Sequence, residues 1–236
     1  MSNILSAASA QEAKEAVGRV VAKRIEDGMR LGLGTGSTAA MAIKSLGERI
    51  RDENLRCVGV ATSFAAERLA MQHGVPTTSL DRAGRLDFAF DGADEVSEQL
   101  DLIKGRGGAH TREKVVASVA DQFVVLVDES KLVTELGERV PVPVEVLPMA
   151  SHPVQRAIES LGGVVELRMG AKKDGPLVTD QGFWILDARF GSIASPAELS
   201  TALLTIPGVL DHGLFVGLAT EVLVGSGDGT IRTLKP

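Results

Sequence analysis

Aromatic residues are scarce in this chain of 236 residues: it has no tyrosine and one tryptophan, and its aromatic fraction is 3%. Basic residues are outnumbered by acidic ones, 25 against 31, which gives a formal net charge of -6. The chain therefore lacks the basic stripe with interleaved aromatic side chains that is typical of nucleic-acid binding, and we expect no nucleic-acid partner. Any anion that it binds is expected to be small and held locally.

The chain has one cysteine, Cys57, so it cannot form an internal disulfide. Cys57 lies in an apolar stretch without a nearby histidine or a recognisable motif, which favours a buried, inert thiol over a nucleophile. Such cysteine usage fits a reducing compartment, and we expect a cytoplasmic location. No apolar run approaches the roughly 20 residues of a membrane helix. We therefore expect no membrane partner. The opening residues, MSNILSAASAQEAKEA, have no basic leader followed by an apolar run, so we also expect no signal peptide.

The first part of the chain alternates between helical and strand patterns. Apolar residues recur at helical spacing over residues 10–27, and short apolar runs occur at 29–33, 56–61, 86–90 and 123–127. Helical stretches lie between these runs. Strands that alternate with helices predict an α/β protein with a mostly parallel sheet covered on both faces.

The pattern changes after about residue 137. Pro141, Pro143 and Pro148 are predicted to break the chain, and helical and strand-like stretches follow from 153 to 205. These stretches predict a small α+β unit of the split β-α-β type. Two apolar runs, 214–218 and 221–225, are predicted to rejoin the first sheet. The expected domains are residues 1–136 with 213–236, and residues 137–212.

A glycine-rich turn, Gly34-Thr35-Gly36-Ser37-Thr38, follows the first predicted strand and opens a helix. Ligands bind at such strand ends in α/β sheets, where glycines admit an anion and the helix N–H groups favour negative charge. The turn is not a Walker motif, because no lysine follows, and it meets the dinucleotide-binding spacing only in part. A tight turn with Ser37 or Thr38 as the N-cap residue is the structural alternative.

Three carboxylates fall within five residues directly after the strand at 86–90, in the motif Asp91-Gly92-Ala93-Asp94-Glu95. Carboxylates at the end of a buried strand are costly unless they are solvated or used. Clustered carboxylates suit hard cations, so a Mg²⁺ site competes with a catalytic role and with a solvated acidic turn.

A third motif, Lys104-Gly105-Arg106-Gly107-Gly108-Ala109-His110-Thr111-Arg112-Glu113-Lys114, joins backbone N–H groups, a cation and a carboxylate at a helix start. An isomerase needs this combination: a base removes the proton beside a carbonyl, and donors or positive charge stabilise the enediolate. Glu113 is alternatively a first-turn acid favoured by the helix dipole. Lys131, after the strand at 123–127, is a phosphate ligand or a plain surface lysine. The four histidines show no metal-ligand spacing.

GLGTGSTA, DGADE and KGxGGAxxREK, in this order and at these separations, resemble the ribose-5-phosphate isomerase A family. The stretches that begin at Pro141 and Ile206 resemble it too, so the similarity covers nearly the whole chain. The resemblance implies a Rossmann-like sheet with a smaller inserted α+β domain of ferredoxin-like type. It implies interconversion of D-ribose 5-phosphate and D-ribulose 5-phosphate through an enediol(ate), in the non-oxidative branch of the pentose phosphate pathway. No metal or organic cofactor is implied, and homodimers or homotetramers are expected.

The resemblance also implies roles for single residues. Glu113 matches the base, Asp91 the group that exchanges protons with the sugar oxygens and opens the ring, and Lys104 the cation beside the enediolate. The remaining matches bind substrate: Gly92, Ala93 and Asp94; Gly105, Arg106 and Gly107 of the glycine-rich loop; and, chiefly for the phosphate, Thr35, Gly36, Ser37, Thr38, Lys131 and Lys14.

The sequence departs from the family pattern at two positions of that loop. Arg106 stands where some members have glycine, and His110 where many have leucine; we expect Arg106 to point to solvent or to a subunit interface. Two other functions compete. Aminosugar-phosphate deaminases and coenzyme A transferases share a similar glycine-rich turn, but the Lys104–Glu113 segment argues against both. A sugar-phosphate-binding regulator would need a DNA-binding module, and no basic helix-turn-helix segment is apparent.

Overall fold

The computed structural model describes residues 7–236, and side chains from residue 11 onwards. The first residues, on which the expectation of no signal peptide rests in part, lie outside this range. The chain divides into two compact units. The first consists of Met1–Ala93, Arg112–Leu132 and Gly217–Pro236, and the second of Asp94–Thr111 and Val133–Val216.

A six-stranded sheet forms the centre of the first unit. With strands numbered along the whole chain, it contains β1 (Arg30–Leu33), β2 (Val58–Ala61), β3 (Phe88–Gly92), β6 (Phe123–Asp128), β12 (Glu221–Gly225) and β13 (Ile231–Leu234). Their order is β13-β12-β6-β3-β1-β2. All neighbours are parallel except β12 and β13. The predicted mostly parallel α/β sheet is confirmed, and the run 221–225 belongs to it as expected.

Helices pack on this sheet. They are α1 (Ala7–Lys23), α2 (Ser37–Glu53), α3 (Phe64–Gln72), α4 (Leu80–Ala83) and α5 (His110–Ser118). Apolar side chains of α1 and α2 form a core with one face of the strands, where Leu33 and Phe90 point. Helix α5 packs on the opposite face, at Gly32, where a Cβ atom would lie 2.5 Å from Val116 Cγ1. The glycine therefore lets α5 approach the sheet closely.

The second unit contains two antiparallel sheets. Strands β4 (Glu95–Val96), β5 (Leu102–Ile103) and β11 (Leu214–Phe215) form a small sheet in the order β11-β5-β4. The larger sheet has the order β10-β7-β9-β8 and is built from β7 (Val142–Val146), α6 (Ser151–Ser160), β8 (Val164–Leu167), β9 (Trp184–Arg189), α7 (Pro196–Leu204) and β10 (Val209–His212). This β-α-β-β-α-β arrangement is the ferredoxin-like type that was predicted.

Two sequence predictions are wrong in this unit. The run 214–218 does not rejoin the first sheet, because Leu214 and Phe215 pair with β5. Nor do the prolines break the chain at Pro143, which lies inside β7. Its carbonyl accepts a hydrogen bond from the Gly213 N–H (2.7 Å), so its missing N–H would have faced the Gly213 carbonyl. That carbonyl accepts from the Lys104 N–H instead (2.9 Å), and the ladder stays satisfied.

Residues 94–111 were expected in the first domain and lie in the second unit. The reason is their pairing: β4 and β5 join β11, and the segment after β5 packs on the larger sheet. A Cβ atom on Gly105 would lie 2.8 Å from Pro143 Cγ, and one on Gly108 would lie 3.2 Å from Ile185 Cδ1. The glycines of this segment thus allow it to cover the face of the sheet that α6 and α7 leave open.

Candidate active site

The glycine-rich turn and Asp91 lie at a switch point of the first sheet. From β1 the chain continues to β2 on one side, while β3 pairs with β1 on the other. The loops that follow β1 and β3 therefore diverge at the carboxyl edge and leave a crevice, which is where open α/β sheets bind ligands. The sequence motifs occupy both loops.

Asp91 is buried at the end of β3 and is joined directly to the turn. Its Oδ1 atom accepts hydrogen bonds from the Thr35 N–H (2.9 Å) and the Gly92 N–H (2.7 Å). Gly34 permits this approach, because a Cβ atom there would lie 2.5 Å from Asp91 Oδ1. Asp91 and the glycine-rich turn thus form one hydrogen-bonded arrangement in the first unit.

Thr35 also fixes the turn on its other side. Its Oγ1 atom lies 2.7 Å from Thr62 Oγ1 and donates to Ser63 Oγ at 2.7 Å, just beyond the end of β2. Gly36, with a φ of 104°, precedes α2 and provides no side-chain cap. Gly36 and Ser37 are exposed and Thr38 is half-buried, so the first N–H groups of this 17-residue helix are open to an anion.

Glu113 lies in the first turn of α5 and is buried, with 5% of its surface exposed. It shares a helix face with Val116, which packs on the sheet. The other end of α5 leads to Val119, whose carbonyl accepts from Leu86 N–H ahead of β3. The first turn of α5 therefore lies toward the carboxyl edge of the sheet, the edge of Asp91.

Arg112 fixes that first turn and was missed as a functional residue by the sequence analysis. Its Nη2 atom donates to the carbonyl of Ala61, the last residue of β2 (3.0 Å), and its guanidinium lies over the Phe64 ring, 5.3 Å from the centroid. In the sequence it is marked only as the arginine before Glu113 in the third motif. The arrangement anchors the start of α5 at the carboxyl edge.

Two half-buried lysines lie at the same edge of the first unit. Lys131 ends a short 3₁₀ turn after β6, which Asp128 caps by accepting hydrogen bonds from the N–H (2.9 Å) and hydroxyl of Ser130. Lys14 lies in α1, next to Ala13. The Ala13 carbonyl oxygen would lie 2.9 Å from a Cβ atom on Gly225, the last residue of β12. Both cations thus lie near strand ends.

Lys104 is buried in the second unit with 3% of its surface exposed. Its N–H donates to the Gly213 carbonyl, and its ammonium lies 5.5 Å from the centroid of the Phe215 ring. A Cβ atom on Gly213 would lie 2.1 Å from the Lys104 carbonyl oxygen, so only glycine permits this approach. The position of Lys104 thus depends on the three strands β5, β7 and β11.

The glycine-rich loop after Lys104 is ordered by hydrogen bonds within the second unit. Asp94 Oδ2 accepts from the Arg106 N–H at 3.0 Å, and Gly108 N–H donates to the Gly105 carbonyl at 3.0 Å. Arg106 and Gly107 are exposed, in agreement with the expectation that the Arg106 side chain points outward. His110 is fully buried beneath the loop, since a Cβ atom on Gly105 would lie 2.7 Å from its Nδ1.

Glu95, the third acid of the motif, has a structural environment. It is buried, and its carboxylate accepts hydrogen bonds from the N–H groups of Gly137 (2.6 Å), Arg139 (2.6 Å) and Val140 (2.9 Å). No group of three or more His, Cys, Asp or Glu side chains within residues 7–236 is arranged to hold a metal ion. The geometry therefore gives no support to the Mg²⁺ interpretation of the motif.

The second unit also buries a glutamate that the sequence did not single out. Glu145, on β7, accepts a hydrogen bond from the Thr111 hydroxyl, next to the start of α5. Burial raises the pKa of Glu145, and the neighbouring charges of Asp211 and Asp180 act in the same direction. Hydrogen bonds from Thr111 and Thr179 oppose this shift only in part.

Comparisons with known proteins decide the family. The sequence matches the profile of ribose 5-phosphate isomerase A (phosphoriboisomerase A) over residues 58–229. The chain belongs to the ribose 5-phosphate isomerase A family. The ribose-5-phosphate isomerase A of Thermosynechococcus vestitus is 56% identical over 216 residues, which are 91% of this chain and 92% of the relative. That of Trichodesmium erythraeum is 52% identical over 226 residues, covering 94% and 95%.

Solved structures of the family have the same fold. The ribose 5-phosphate isomerase A of Methanocaldococcus jannaschii superposes with a TM-score of 0.91 at 50% identity, over 95% of this chain and 98% of the other. A D-ribose-5-phosphate isomerase in complex with phospho-erythronic acid superposes with a TM-score of 0.94 at 45% identity, over 96% and 99%. The resemblance of the three motifs to this family is confirmed, as is the fold that it implied.

Proposed function

We propose that this protein interconverts D-ribose 5-phosphate and D-ribulose 5-phosphate, the isomerisation of the non-oxidative pentose phosphate pathway. One observation carries the proposal: the chain is 56% identical over 216 residues to a ribose-5-phosphate isomerase A. That match extends over 91% of the chain, so the whole protein, and not one shared domain, resembles the relative.

A ligand-bound relative supports the substrate class. The neighbour solved with phospho-erythronic acid is 45% identical and shares nearly the full length of this chain. That ligand is a four-carbon sugar acid phosphate whose two carboxylate oxygens resemble the paired oxygens of an enediolate. Reaction intermediates are the species that an isomerase binds best. We therefore assign a five-carbon sugar phosphate as the substrate and an enediol(ate) as the intermediate.

We further propose a role in this reaction for each residue that the family resemblance singles out. Glu113 removes the proton from C2 of the open-chain aldose and returns it to C1, so the proton count balances without an external acid. Lys104 and the amides of Gly105 and Gly107 stabilise the negative charge that develops on the oxygens, while the Arg106 amide holds Asp94. Asp91 moves protons between the sugar oxygens and opens the ring.

The same proposal assigns groups that hold the substrate. Asp94, with Gly92 and Ala93, contacts the sugar. The phosphate is bound by the turn Thr35–Thr38 at the start of α2, with Lys131 and Lys14 as cations, because free helix N–H groups and positive charge both favour a dianion. No cofactor and no metal is assigned a role.

A single assay tests the activity against its alternatives. The purified protein is given ribose 5-phosphate alone, and ketopentose formation is measured with and without a chelator. We expect conversion to an aldose–ketose mixture at a rate that the chelator leaves unchanged. In a parallel incubation with an aminosugar phosphate, ammonia release would identify a deaminase instead. Binding of sugar phosphate without turnover would identify a regulator, and activity restored by Mg²⁺ would revive the metal site.

We also propose a homodimer or homotetramer that acts in the cytoplasm. Exposed apolar side chains in the second unit support self-association: 84% of Met149 and 42% each of Leu147 and Leu210 are accessible in the single chain. Among the described residues no helix is long and apolar enough to cross a bilayer. Light scattering coupled to size-exclusion chromatography measures the mass directly, and a single-chain mass of 24.8 kDa would contradict the assembly.

A further inference from the structure

Arg168, directly after β8, lies on the face of the larger sheet that carries the glycine-rich loop. Its N–H donates to the Ile185 carbonyl (2.9 Å) and its carbonyl accepts from the Leu177 N–H (2.8 Å), so its backbone is held on both sides. The pairing Glu166↔Asp187 places Arg168 on the same face as Asp187. Both side chains are largely buried, at 15% and 21% exposure.

The Arg168 guanidinium joins Asp187 to the loop. Its Nε and Nη2 atoms donate to the two carboxylate oxygens of Asp187, at 2.8 and 2.5 Å. Its Nη1 atom donates to the carbonyls of Gly105 (2.9 Å) and Arg106 (3.1 Å). Asp187 thus fixes the plane of the guanidinium, and a planar guanidinium binds both carbonyls in a geometry that a lysine cannot reproduce.

These contacts determine where the loop N–H groups point. In a planar trans peptide the N–H lies opposite to the C=O, and the described chain has no cis peptide bond. Since the Arg106 carbonyl faces Arg168, the N–H of Gly107 points away from it, on the exposed side of the loop. The peptide before it is fixed at both ends, because the Arg106 N–H donates to Asp94.

We propose that Arg168 is a positioning residue for the isomerase reaction: held by Asp187, it orients the amides of the Gly105–Gly107 loop beside Lys104. This inference rests on the activity proposed above, in which those amides stabilise the enediolate. Donors arranged in advance toward developing charge contribute most in the transition state. Loss of the anchor therefore lowers kcat more than it weakens substrate binding.

The test compares Arg168→Met and Arg168→Lys with Arg24→Met, each assayed for kcat and KM and melted in parallel. Arg24 is a matched control: it forms a half-buried ion pair with Glu221 at 2.8 Å, in the first unit and outside the proposed site. We expect kcat of Arg168→Met to fall about 10- to 100-fold, with KM within about threefold. Arg168→Lys loses the bidentate geometry, so its kcat should lie between those of the parent and Arg168→Met. Arg24→Met should keep the kcat and KM of the parent.

Chemical rescue separates positioning from mere stability. Millimolar guanidinium chloride, well below denaturing concentrations, should restore part of kcat in folded Arg168→Ala and have no such effect on Arg24→Met. Asp187→Asn, which keeps the side-chain size, should lower kcat in the same direction as Arg168→Met and supplies the test if an Arg168 variant does not fold.

Three outcomes contradict different statements. If the parent protein isomerises ribose 5-phosphate and the folded Arg168 and Asp187 variants keep kcat within about threefold, the positioning role is wrong. If the parent and Arg24→Met are both inactive, the proposed activity fails first. A loss of melting temperature with unchanged kcat would make the Arg168–Asp187 pair purely structural.

Discussion

At the scale of single residues, the three acids after β3 differ in what their carboxylates contact. Asp91 is joined to the glycine-rich turn, Asp94 to the loop amide of Arg106, and Glu95 to three backbone amides within residues 137–140. In the sequence they form one acidic run, for which a catalytic role, a cation-binding role and a solvated turn were all possible interpretations. The contacts separate them, because Asp91 belongs to β3, Asp94 lies between β3 and β4, and Glu95 begins β4.

Glu113→Gln is the sharpest test of a residue role. Gln keeps the size and the hydrogen-bonding capacity but removes the base, and general-base catalysis contributes about 10²–10⁴-fold. We expect a folded variant with kcat at least about 100-fold lower. The first-turn alternative predicts only a helix-dipole loss of about 0.3–1 kcal/mol in unfolding free energy with normal turnover. Parallel measurement of kcat and urea unfolding distinguishes the two.

Lys131→Ala tests the assignment of the phosphate. A cation on the non-reacting end of the substrate binds the ground state and the transition state alike, so KM should rise about tenfold or more with kcat within about threefold. Lys23→Ala, at the exposed end of α1, is the control for loss of one positive charge. A large fall in kcat at unchanged KM would place Lys131 at the reacting end instead.

Glu95→Ala should act on stability alone. It leaves three amides without their acceptor in a buried place, each at a cost of about 1–3 kcal/mol, so the unfolding free energy should fall by at least about 3 kcal/mol. Glu98→Ala, exposed three residues further on, should change it by less than about 0.5 kcal/mol. Denaturant unfolding measures both, and equal effects would refute the structural role of Glu95.

At the scale of elements, helices and strands with clear periodicity were predicted within a few residues. Helix α2 begins at Ser37, after the glycine turn, as its pattern indicated, and β12 joins the parallel sheet. The short strands β4 and β5, two residues each, carry no periodic signal. Strand β7 was obscured by Pro143, whose missing donor is tolerated because the Lys104 N–H supplies the Gly213 carbonyl that faces it.

Gly213→Ala tests whether this packing positions Lys104. The backbone of Gly213 does not have a positive φ, so only steric contact opposes a side chain there. An added Cβ atom would lie 2.1 Å from the Lys104 carbonyl oxygen and 2.6 Å from Pro143 Cδ. Backbone must therefore move, and a shift of about 1 Å at a catalytic group costs on the order of 100-fold in rate. We expect a kcat loss of about tenfold or more. Gly182→Ala, with φ of 85° but open space, controls for backbone strain alone. Equal activity of the two variants would contradict the positioning.

At the scale of the whole molecule, the sequence revealed the motifs but not what orients them. Glu95 contacts amides 42 to 45 residues away, Arg168 contacts a loop more than 60 residues before it, and Glu145 binds a hydroxyl 34 residues before it. Pairings at such separations arise from chain topology, and local propensity carries no information about them. The same reason explains why residues 94–111 were expected in the other domain.

The buried carboxyl group of Glu145 should make the stability of the protein depend on pH. Burial raises its pKa in the folded state above the unfolded value of about 4.3, so the folded protein retains a proton that the unfolded chain loses. The contribution of Glu145 to the free energy of unfolding is therefore largest below about pH 4. It decreases as the pH rises from the pKa of the unfolded chain to the higher pKa of the folded protein. Gln cannot ionise and still accepts the Thr111 hydrogen bond, so Glu145→Gln should gain unfolding free energy relative to the parent as the pH rises from about 4 to 7. Urea unfolding at several pH values measures this difference, and Glu166→Gln, exposed on β8 of the same sheet, gives the background for removing one acid there. A difference between parent and Glu145→Gln that stays constant over this range would show that Glu145 ionises alike in both states.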